Sequence, residues 1–282
     1  MKLEVINREP AQRRFNVPIL FVHGTGHAAW CWDENFLPYF AEKGFSSHAV
    51  SLRGHGASEG GEQLKWTSIS DYVEDVFQTA QRLPQMPVVV GHSLGGLVVQ
   101  KFLEKHTAPA AVLLAPSPSE GMFLSGLKIQ LQNPWLMTKV HIRQDYAIMF
   151  STAKLAKKFL FSADADERKI AKYVERFGRE SYRAALEMVF NLPNPQKIKT
   201  PLLVLGAEND ALIAPQKIEK TARAFNADCK IFPNMAHDLM LERDWEQVAD
   251  FMIEWFRSSY IFSANLYPAT SNSEQNKIRS KL

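Results

Sequence analysis

A serine flanked by glycines occupies the segment Gly91-His92-Ser93-Leu94-Gly95, which follows an apolar run and precedes a helical pattern. This spacing between a strand and a helix is typical of a nucleophilic serine held on a sharp turn, where bulky neighbours would obstruct the backbone. The N–H of Leu94 and the N-terminus of the following helix would then face negative charge that develops at the reacting carbonyl. We predict that Ser93 is a nucleophile for acyl transfer.

A serine hydroxyl needs a base, and the base needs an orienting acid. His237 lies between the last predicted strand and the last predicted helix, and Asp210 lies just beyond a buried apolar run. Because the carboxyl ends of parallel strands meet at one edge of a sheet, both side chains can reach Ser93 there. The order serine, acid, histidine is the one expected for such a turn. We therefore predict a catalytic triad of Ser93, His237 and Asp210.

Other acids fit the third position less well. Asp238 adjoins His237 and is expected to serve the next helix or a surface ion pair, and Glu208 would point away from Asp210. Glu120, beyond the run at 110–114, remains an alternative.

Other histidines are weaker candidates for the base. We expect His92 and His55, which lie within motif loops, to be structural hydrogen-bonding groups. His48, His106 and His141 have no supporting sequence context.

A second glycine-containing turn, His23-Gly24-Thr25-Gly26, follows the first strongly apolar run. A backbone N–H in this turn can face the Ser93 site as the second donor of an oxyanion hole. We predict that Leu94 supplies one donor and Thr25 the other, with Gly26 as the alternative to Thr25.

Strands and helices alternate along most of the chain. Apolar or alternating segments predict strands at 1–7, 17–22, 46–52, 87–90, 110–114, 201–205 and 229–232. Helical periodicity predicts helices at 32–43, 70–83, 94–105, 215–225 and 245–256, the second capped by Ser70 and Asp71. This alternation is typical of a doubly wound parallel sheet.

The segment 117–195 breaks this pattern, with helical patterns at 126–132, 146–150, 153–160, 165–177 and 181–190 and no convincing strand. We expect an α/β core at 1–116 and 196–257, a helical lid at 117–195, and a mobile polar tail at 258–282. We call residues 117–195 the helical insertion.

Composition excludes several classes of protein. A hydrophobic share of 46% supports a sizeable core, and a net charge of +3 with interspersed signs gives no reason to expect nucleic-acid binding. No apolar run is long enough to span a bilayer, and the N-terminus has no signal-peptide pattern, so we expect a cytoplasmic protein. Cys31 and Cys229 are expected to be two buried free thiols.

Together these motifs resemble the α/β-hydrolase superfamily: His23-Gly24, the segment from Arg53 to Ser58 (RGHGAS), the segment from Gly91 to Gly96, Asp210 and His237. The resemblance covers residues 15–257 without the helical insertion. It implies an open, mostly parallel eight-stranded sheet, a Ser–His–Asp triad, and an acyl-enzyme route with no metal or organic cofactor. The segment from His23 to Trp32 further resembles plant methylesterases and hydroxynitrile lyases, whereas the helical insertion resembles bacterial esterases and lysophospholipase-type members.

Large apolar side chains in the helical insertion favour a hydrophobic substrate. We predict a pocket that includes Met122, Phe123, Trp135, Met149 and Phe150, and hydrolysis of an apolar carboxylic ester. Two alternatives stay open at this point. One is carbon–carbon hydrolysis, thioester cleavage or lyase chemistry on the same triad, and the other is a non-catalytic small-molecule receptor. The sequence leaves the oligomeric state open.

Overall fold

One sheet organises the protein, whose computed structural model describes residues 1–258. The strands are β1 (Val5–Arg8), β2 (Ile19–Val22), β3 (Ser47–Val50), β4 (Val88–His92), β5 (Ala111–Leu114), β6 (Leu202–Ala207) and β7 (Asp228–Phe232). Their spatial order is β1-β3-β2-β4-β5-β6-β7, with β1 antiparallel to β3 and every other pairing parallel. The chain winds from β2 toward one edge and then from β4 toward the other. The loops after β2 and β4 therefore adjoin at the switch point.

The eight-stranded sheet that the resemblance implied is wrong for the described residues, because the sheet has seven strands. Each of the seven segments predicted from side-chain pattern becomes one strand. No segment of the sequence had been predicted as the eighth strand. The side-chain pattern therefore predicted the number of strands better than the family resemblance did.

The central strands β2, β4, β5 and β6 are buried along their whole length, because helices cover both faces of the sheet. Successive side chains alternate between two apolar clusters. Ile19 and Phe21 belong to one cluster, and Leu20 and Val22 belong to the other. The edge strand β7 begins with three exposed residues. Cys229 is consequently exposed and only Cys31 is buried, which corrects the expectation of two buried thiols; both are free.

The helices outside the insertion are α1 (Trp30–Asp33), α2 (Phe36–Glu42), α3 (Ile69–Gln81), α4 (Leu94–Leu103), α10 (Pro215–Phe225) and α11 (Trp245–Ser258). The predicted helix 32–43 is interrupted, because Asn35 separates α1 from α2. Helix α3 begins earlier than predicted. Its N-cap is Ser68, not Ser70, since Ser68 and Asp71 exchange side-chain and backbone hydrogen bonds in a capping box.

Between β5 and β6, the helical insertion contains helices only. They are α5 (Phe123–Gln132), α6 (Pro134–Arg143), α7 (Ala153–Leu160), α8 (Glu167–Val174) and α9 (Tyr182–Phe190), with short 3-10 turns at Tyr146–Phe150 and Pro195–Lys197. Helix α6 was not predicted, because it carries apolar side chains on its exposed face as well. Its sequence therefore shows no clear amphipathic pattern. The predicted tail at 258–282 lies outside the described residues, apart from Ser258 at the end of α11. No helix within residues 1–258 combines the length and apolarity needed to cross a membrane.

Candidate active site

Ser93 occupies a strained turn between β4 and α4. Its backbone has φ 51° and ψ −116°, a conformation that side-chain-bearing residues rarely adopt and that costs about 1–3 kcal/mol. The Ser93 N–H donates to the Leu114 carbonyl at 3.0 Å, and the Ser93 carbonyl accepts from Gly96 at 3.0 Å. A Cβ on Gly95 would lie 2.3 Å from the His23 carbonyl oxygen. The motif glycine is thus required because the backbone after β2 passes directly over the turn.

His237 and Asp210 form a hydrogen bond at the carboxyl edge of the sheet. The Nδ1 atom of His237 donates to Oδ2 of Asp210 at 2.8 Å, and both side chains are almost fully buried. The N–H groups of Leu212 and Ile213 donate to the other oxygen, Oδ1, at 2.8 and 2.9 Å. Burial alone would lower the pKa of His237, but the charge and hydrogen bond of Asp210 raise it above the usual value. The pair has the arrangement of a base with its orienting acid.

His92, the residue before Ser93, connects the Ser93 turn to the loop of His237. The two imidazole rings of His92 and His237 lie 4.8 Å apart, and His92 Nε2 donates to the His237 backbone carbonyl at 3.1 Å. Burial, followed by the nearby charge of His237, lowers the pKa of His92 to about 3. His92 therefore acts as a neutral structural donor, as its position in the motif suggested.

The structure brings the segments of all three predicted triad residues to one edge. Within residues 1–258 it shows the His237–Asp210 hydrogen bond but none between Ser93 Oγ and His237. Such contacts are often long without substrate and shorten only in the complex. The Ser93–His237 contact stays a prediction.

The alternative acids are engaged elsewhere. Glu208 accepts a hydrogen bond from the Asn234 N–H, and Glu120 pairs with Lys217 and Lys220. Asp238 is not at the surface, contrary to expectation, because it is fully buried beside His27. None of these acids replaces Asp210 as the partner of His237.

The Gly24-Thr25-Gly26 loop adjoins Ser93. A Cβ on Gly24 would lie 3.0 Å from the Ser93 Cβ, and Thr25 and Ser93 line the same cavity. The Gly26 N–H donates to Oε2 of Glu180 at 3.2 Å, so it is not available to a substrate oxyanion. Of the two donors that the sequence left open in this loop, Gly26 is therefore engaged elsewhere, and Thr25 stays a prediction.

A cavity of about 300 Å³ opens beside Ser93, between the core and the helical insertion. Four of the five predicted pocket residues line it, namely Met122, Phe123, Met149 and Phe150. Trp135 does not, and its 83% exposure corrects that prediction. Helix α6 directs Met137 and His141 into the cavity, and Trp135, two residues before Met137, faces the other way at 100° per residue.

Sequence reasoning missed several cavity residues. His141 had no supporting context, yet its imidazole contacts the Tyr182 hydroxyl at 3.1 Å and Gln130 at 3.3 Å. The i, i+4 spacing from Met137 was the signal that could have indicated His141. The other lining residues are Gly126, Leu127, Ile129, Gln130, Met137, Tyr146, Ala185, Val189 and Leu212.

Within the described part of the chain, one group of side chains has the spacing of metal ligands. The donor atoms of His92, His237 and Asp238 lie within 4.8 Å of one another. His92 is already bonded to the His237 carbonyl, His237 to Asp210, and Asp238 to His27. These hydrogen bonds account for the cluster, and the expectation of no cofactor stays a prediction.

A protein-family comparison agrees with this arrangement. The model described as serine aminopeptidase, S33, matches residues 16–244, which is most of the chain. The chain belongs to this family of α/β-hydrolases. The α/β-hydrolase fold predicted from the sequence is thereby confirmed.

Individual relatives of this α/β-hydrolase are distant. A pFDCC methylesterase from Arabidopsis thaliana is 30% identical over 131 residues, which are 43% of this chain and 49% of that protein. Pheophorbidase from Raphanus sativus is 25% identical over 254 residues, 88% of this chain and 89% of that protein. The crystal structure of the Paleococcus ferrophilus monoacylglycerol lipase superposes with a TM-score of 0.68 at 20% identity, covering 90% of this chain and 98% of that one. The chain spans half or less of the length of the first curated relatives it matches.

Proposed function

We propose that this α/β-hydrolase cleaves a carboxylic ester with a hydrophobic acyl or alkyl group. The observation that carries the proposal is the position of Ser93. Ser93 occupies a strained strand-to-helix turn and lines an apolar cavity. The preceding residue, His92, is hydrogen-bonded to the backbone of His237, which pairs with Asp210. Strain of this kind persists where surrounding structure enforces it and is frequent at catalytic positions.

The proposed reaction has two steps. Ser93 Oγ attacks the ester carbonyl carbon and gives its proton to Nε2 of His237, while Asp210 fixes the tautomer through Nδ1 and stabilises the imidazolium. The tetrahedral intermediate then expels the alcohol, which takes that proton, and leaves an acyl-Ser93 ester. Water attacks this ester with His237 again as base, and the acid leaves as Ser93 regains its proton.

The oxyanion would be held by backbone N–H groups. Leu94 is the first residue of α4, where N–H groups have no acceptor within the helix. Thr25 lines the cavity with Ser93, on the loop whose Gly24 lies against Ser93. Two such donors in a site shielded from water stabilise developing charge more than they would in solvent.

The walls of the cavity support an apolar substrate. Met122, Met137, Met149 and Phe150 present flexible or aromatic apolar surface, and Met137, Met149 and Phe150 are buried. Phe123 and Leu127 line the cavity and are also 62% and 47% exposed, which places them at its mouth. Methylesterase and lipase names among the relatives agree with an ester substrate.

Hydrolysis of p-nitrophenyl acetate, butyrate and octanoate tests the proposal, together with labelling by a fluorophosphonate and intact mass. The wild type should cleave the longer esters and gain one phosphonyl group. Ser93→Ala should lose both properties, with kcat reduced by at least about 10³-fold. Ser151→Ala, at an exposed serine of the helical insertion, is the matched control and should behave as the wild type.

Product analysis separates hydrolysis from lyase chemistry on the same residues, and the released alcohol identifies the cleaved bond as that of an ester. In ¹⁸O-labelled water, one ¹⁸O atom should enter the carboxylic acid product. Folded Ser93→Ala that retains near-normal turnover, or a wild type that neither cleaves these esters nor reacts with the fluorophosphonate, would contradict the proposal.

A further inference from the structure

We call the loop of Gly24, Thr25 and Gly26 the oxyanion loop. Hydrogen bonds from neighbouring residues and from remote parts of the chain hold its peptides. In the Gly24–Thr25 peptide, the Gly24 carbonyl accepts from Nδ1 of His23 at 2.9 Å and from the His27 N–H at 3.2 Å. Because the N–H and C=O of a trans peptide point in opposite directions, this fixes the direction of the Thr25 N–H.

The following peptide, Thr25–Gly26, is held at both ends. Its carbonyl accepts from Nδ1 of His27 at 2.9 Å, and its N–H donates to Oε2 of Glu180 at 3.2 Å. The Gly26 carbonyl in turn accepts from the Gly178 N–H at 2.8 Å. Gly26 has φ +71°, a left-handed backbone conformation that glycine adopts readily. Because glycine adopts other conformations as readily, the loop depends on these hydrogen bonds to keep this one.

Glu180 is a buried carboxylate whose oxygens are both occupied. Oε1 accepts from the Tyr72 hydroxyl at 2.8 Å and from the Ser181 N–H at 2.7 Å, and Oε2 lies 3.4 Å from Nε2 of His55. Burial would raise the pKa of Glu180, but the charge of His55 and these hydrogen bonds lower it. Burial would lower the pKa of His55, and Glu180 raises it. Each partner thus favours the charged form of the other.

His27 is hydrogen-bonded to a second buried acid, Asp238. Its Nδ1 faces the Thr25 carbonyl and its Nε2 faces Oδ2 of Asp238 at 3.0 Å, and both oxygens are acceptors. Both ring nitrogens are thus engaged, one by the loop and one by the acid. Burial would raise the pKa of Asp238, but the charge and hydrogen bond of His27 lower it. Asp238 directly follows His237, so the hydrogen bond between His27 and Asp238 joins the loop of Thr25 to the loop of His237.

We propose that Glu180 and His27 are positioning residues: by holding the Thr25–Gly26 peptide they fix the backbone conformation of Thr25 and so keep the N–H of the preceding Gly24–Thr25 peptide directed at the substrate oxyanion. This inference rests on the proposed esterase function. It assigns to the helical insertion, through Glu180, a part in stabilising the transition state besides forming a cavity wall. If the Thr25–Gly26 peptide were released from Glu180 and His27, the backbone of Thr25 could rotate. The Thr25 N–H would then no longer point at the oxyanion.

The test compares transition-state and ground-state affinity in full-length variants. An alkyl trifluoromethyl ketone forms a tetrahedral adduct with Ser93 and needs the oxyanion donors, whereas its methyl ketone isostere mainly reports binding in the cavity. Glu180→Leu should lower kcat and raise the Ki of the trifluoromethyl ketone by about 10²-fold each, with KM and the Ki of the methyl ketone nearly unchanged. Glu180→Gln, whose amide oxygen still accepts from Gly26, should recover part of that loss. Glu175→Leu, at an exposed acid of the same insertion, is the matched control and should behave as the wild type.

Two outcomes can be distinguished. An inactive, unlabelled wild type would refute the esterase proposal itself. An active wild type together with a folded Glu180→Leu that keeps kcat and trifluoromethyl ketone affinity would refute the positioning role alone. Should Glu180→Leu not fold, Glu180→Gln and Tyr72→Phe decide, since Tyr72→Phe removes only the hydroxyl that orients Oε1. Unchanged kcat and ketone affinity in both would then refute the proposal.

Discussion

His92 donates a hydrogen bond to the backbone carbonyl of His237, so the residue before Ser93 holds the loop of His237. The bond is buried and joins positions 145 residues apart. It sets the spacing between the turn that carries Ser93 and the imidazole that would take its proton. Catalysis by such a pair depends on alignment within a fraction of an ångström.

We predict that His92→Phe lowers kcat by about 10²-fold with little change in KM. Phenylalanine retains a planar ring but cannot donate to the His237 carbonyl. Steady-state kinetics on p-nitrophenyl butyrate measure the loss, and circular dichroism checks the fold. A folded variant with wild-type kcat would show that this hydrogen bond does not align the base.

The rate should depend on pH through His237. The imidazole acts as a base only when neutral, and Asp210 raises its pKa. We therefore expect kcat/KM to rise with pH through an inflection above about 6.5, the ordinary histidine value, and then to level off. Asp210→Asn removes the charge that raises the pKa, so the inflection should move to lower pH while kcat falls by about 10⁴-fold. An inflection that stays in place in Asp210→Asn would contradict the assigned pair.

Chain-length preference should respond to the wall of the cavity. Ala185 is 3% exposed on α9 and lines the cavity, so Ala185→Leu should exclude long acyl chains. The ratio of kcat/KM for octanoate over acetate should fall about tenfold. Trp135→Ala is the control, because Trp135 points away from the cavity and the ratio should not move. An unchanged ratio in Ala185→Leu would place the acyl chain elsewhere.

Two glycines should differ sharply in their tolerance of alanine. A Cβ on Gly95 would lie 2.3 and 2.5 Å from the carbonyl oxygens of His23 and Val22, so Gly95→Ala should destabilise the fold by about 3 kcal/mol. Gly126 in α5 has no atom within 4 Å of such a Cβ, so Gly126→Ala should stabilise by up to about 1 kcal/mol through helix propensity. Urea denaturation measures both changes, and equal stability of the two variants would refute the close approach at Gly95.

Local sequence pattern was sufficient to predict the fold and the candidate residues. Apolar runs and helical periodicity depend on neighbours within a few residues, so all seven strands were predicted from their own side chains. The sequence also contains the motif from Gly91 to Gly95, and it shows the chain order of Ser93, Asp210 and His237. The eighth strand, which rested on family resemblance, is absent from residues 1–258, and helix α6 and the break between α1 and α2 were not predicted.

Tertiary structure decided which groups these residues meet. Gly26 is removed as an oxyanion donor by Glu180, which lies 154 positions away, and Asp238 is buried by His27, which lies 211 positions away. The rotation of α6 about its axis, which excludes Trp135 from the cavity and admits His141, depends on packing against other helices. Local spacing fixes which residues share a face of a helix or a turn. Only the packed chain determines what that face touches, because such contacts join segments whose separation in sequence carries no periodic signal.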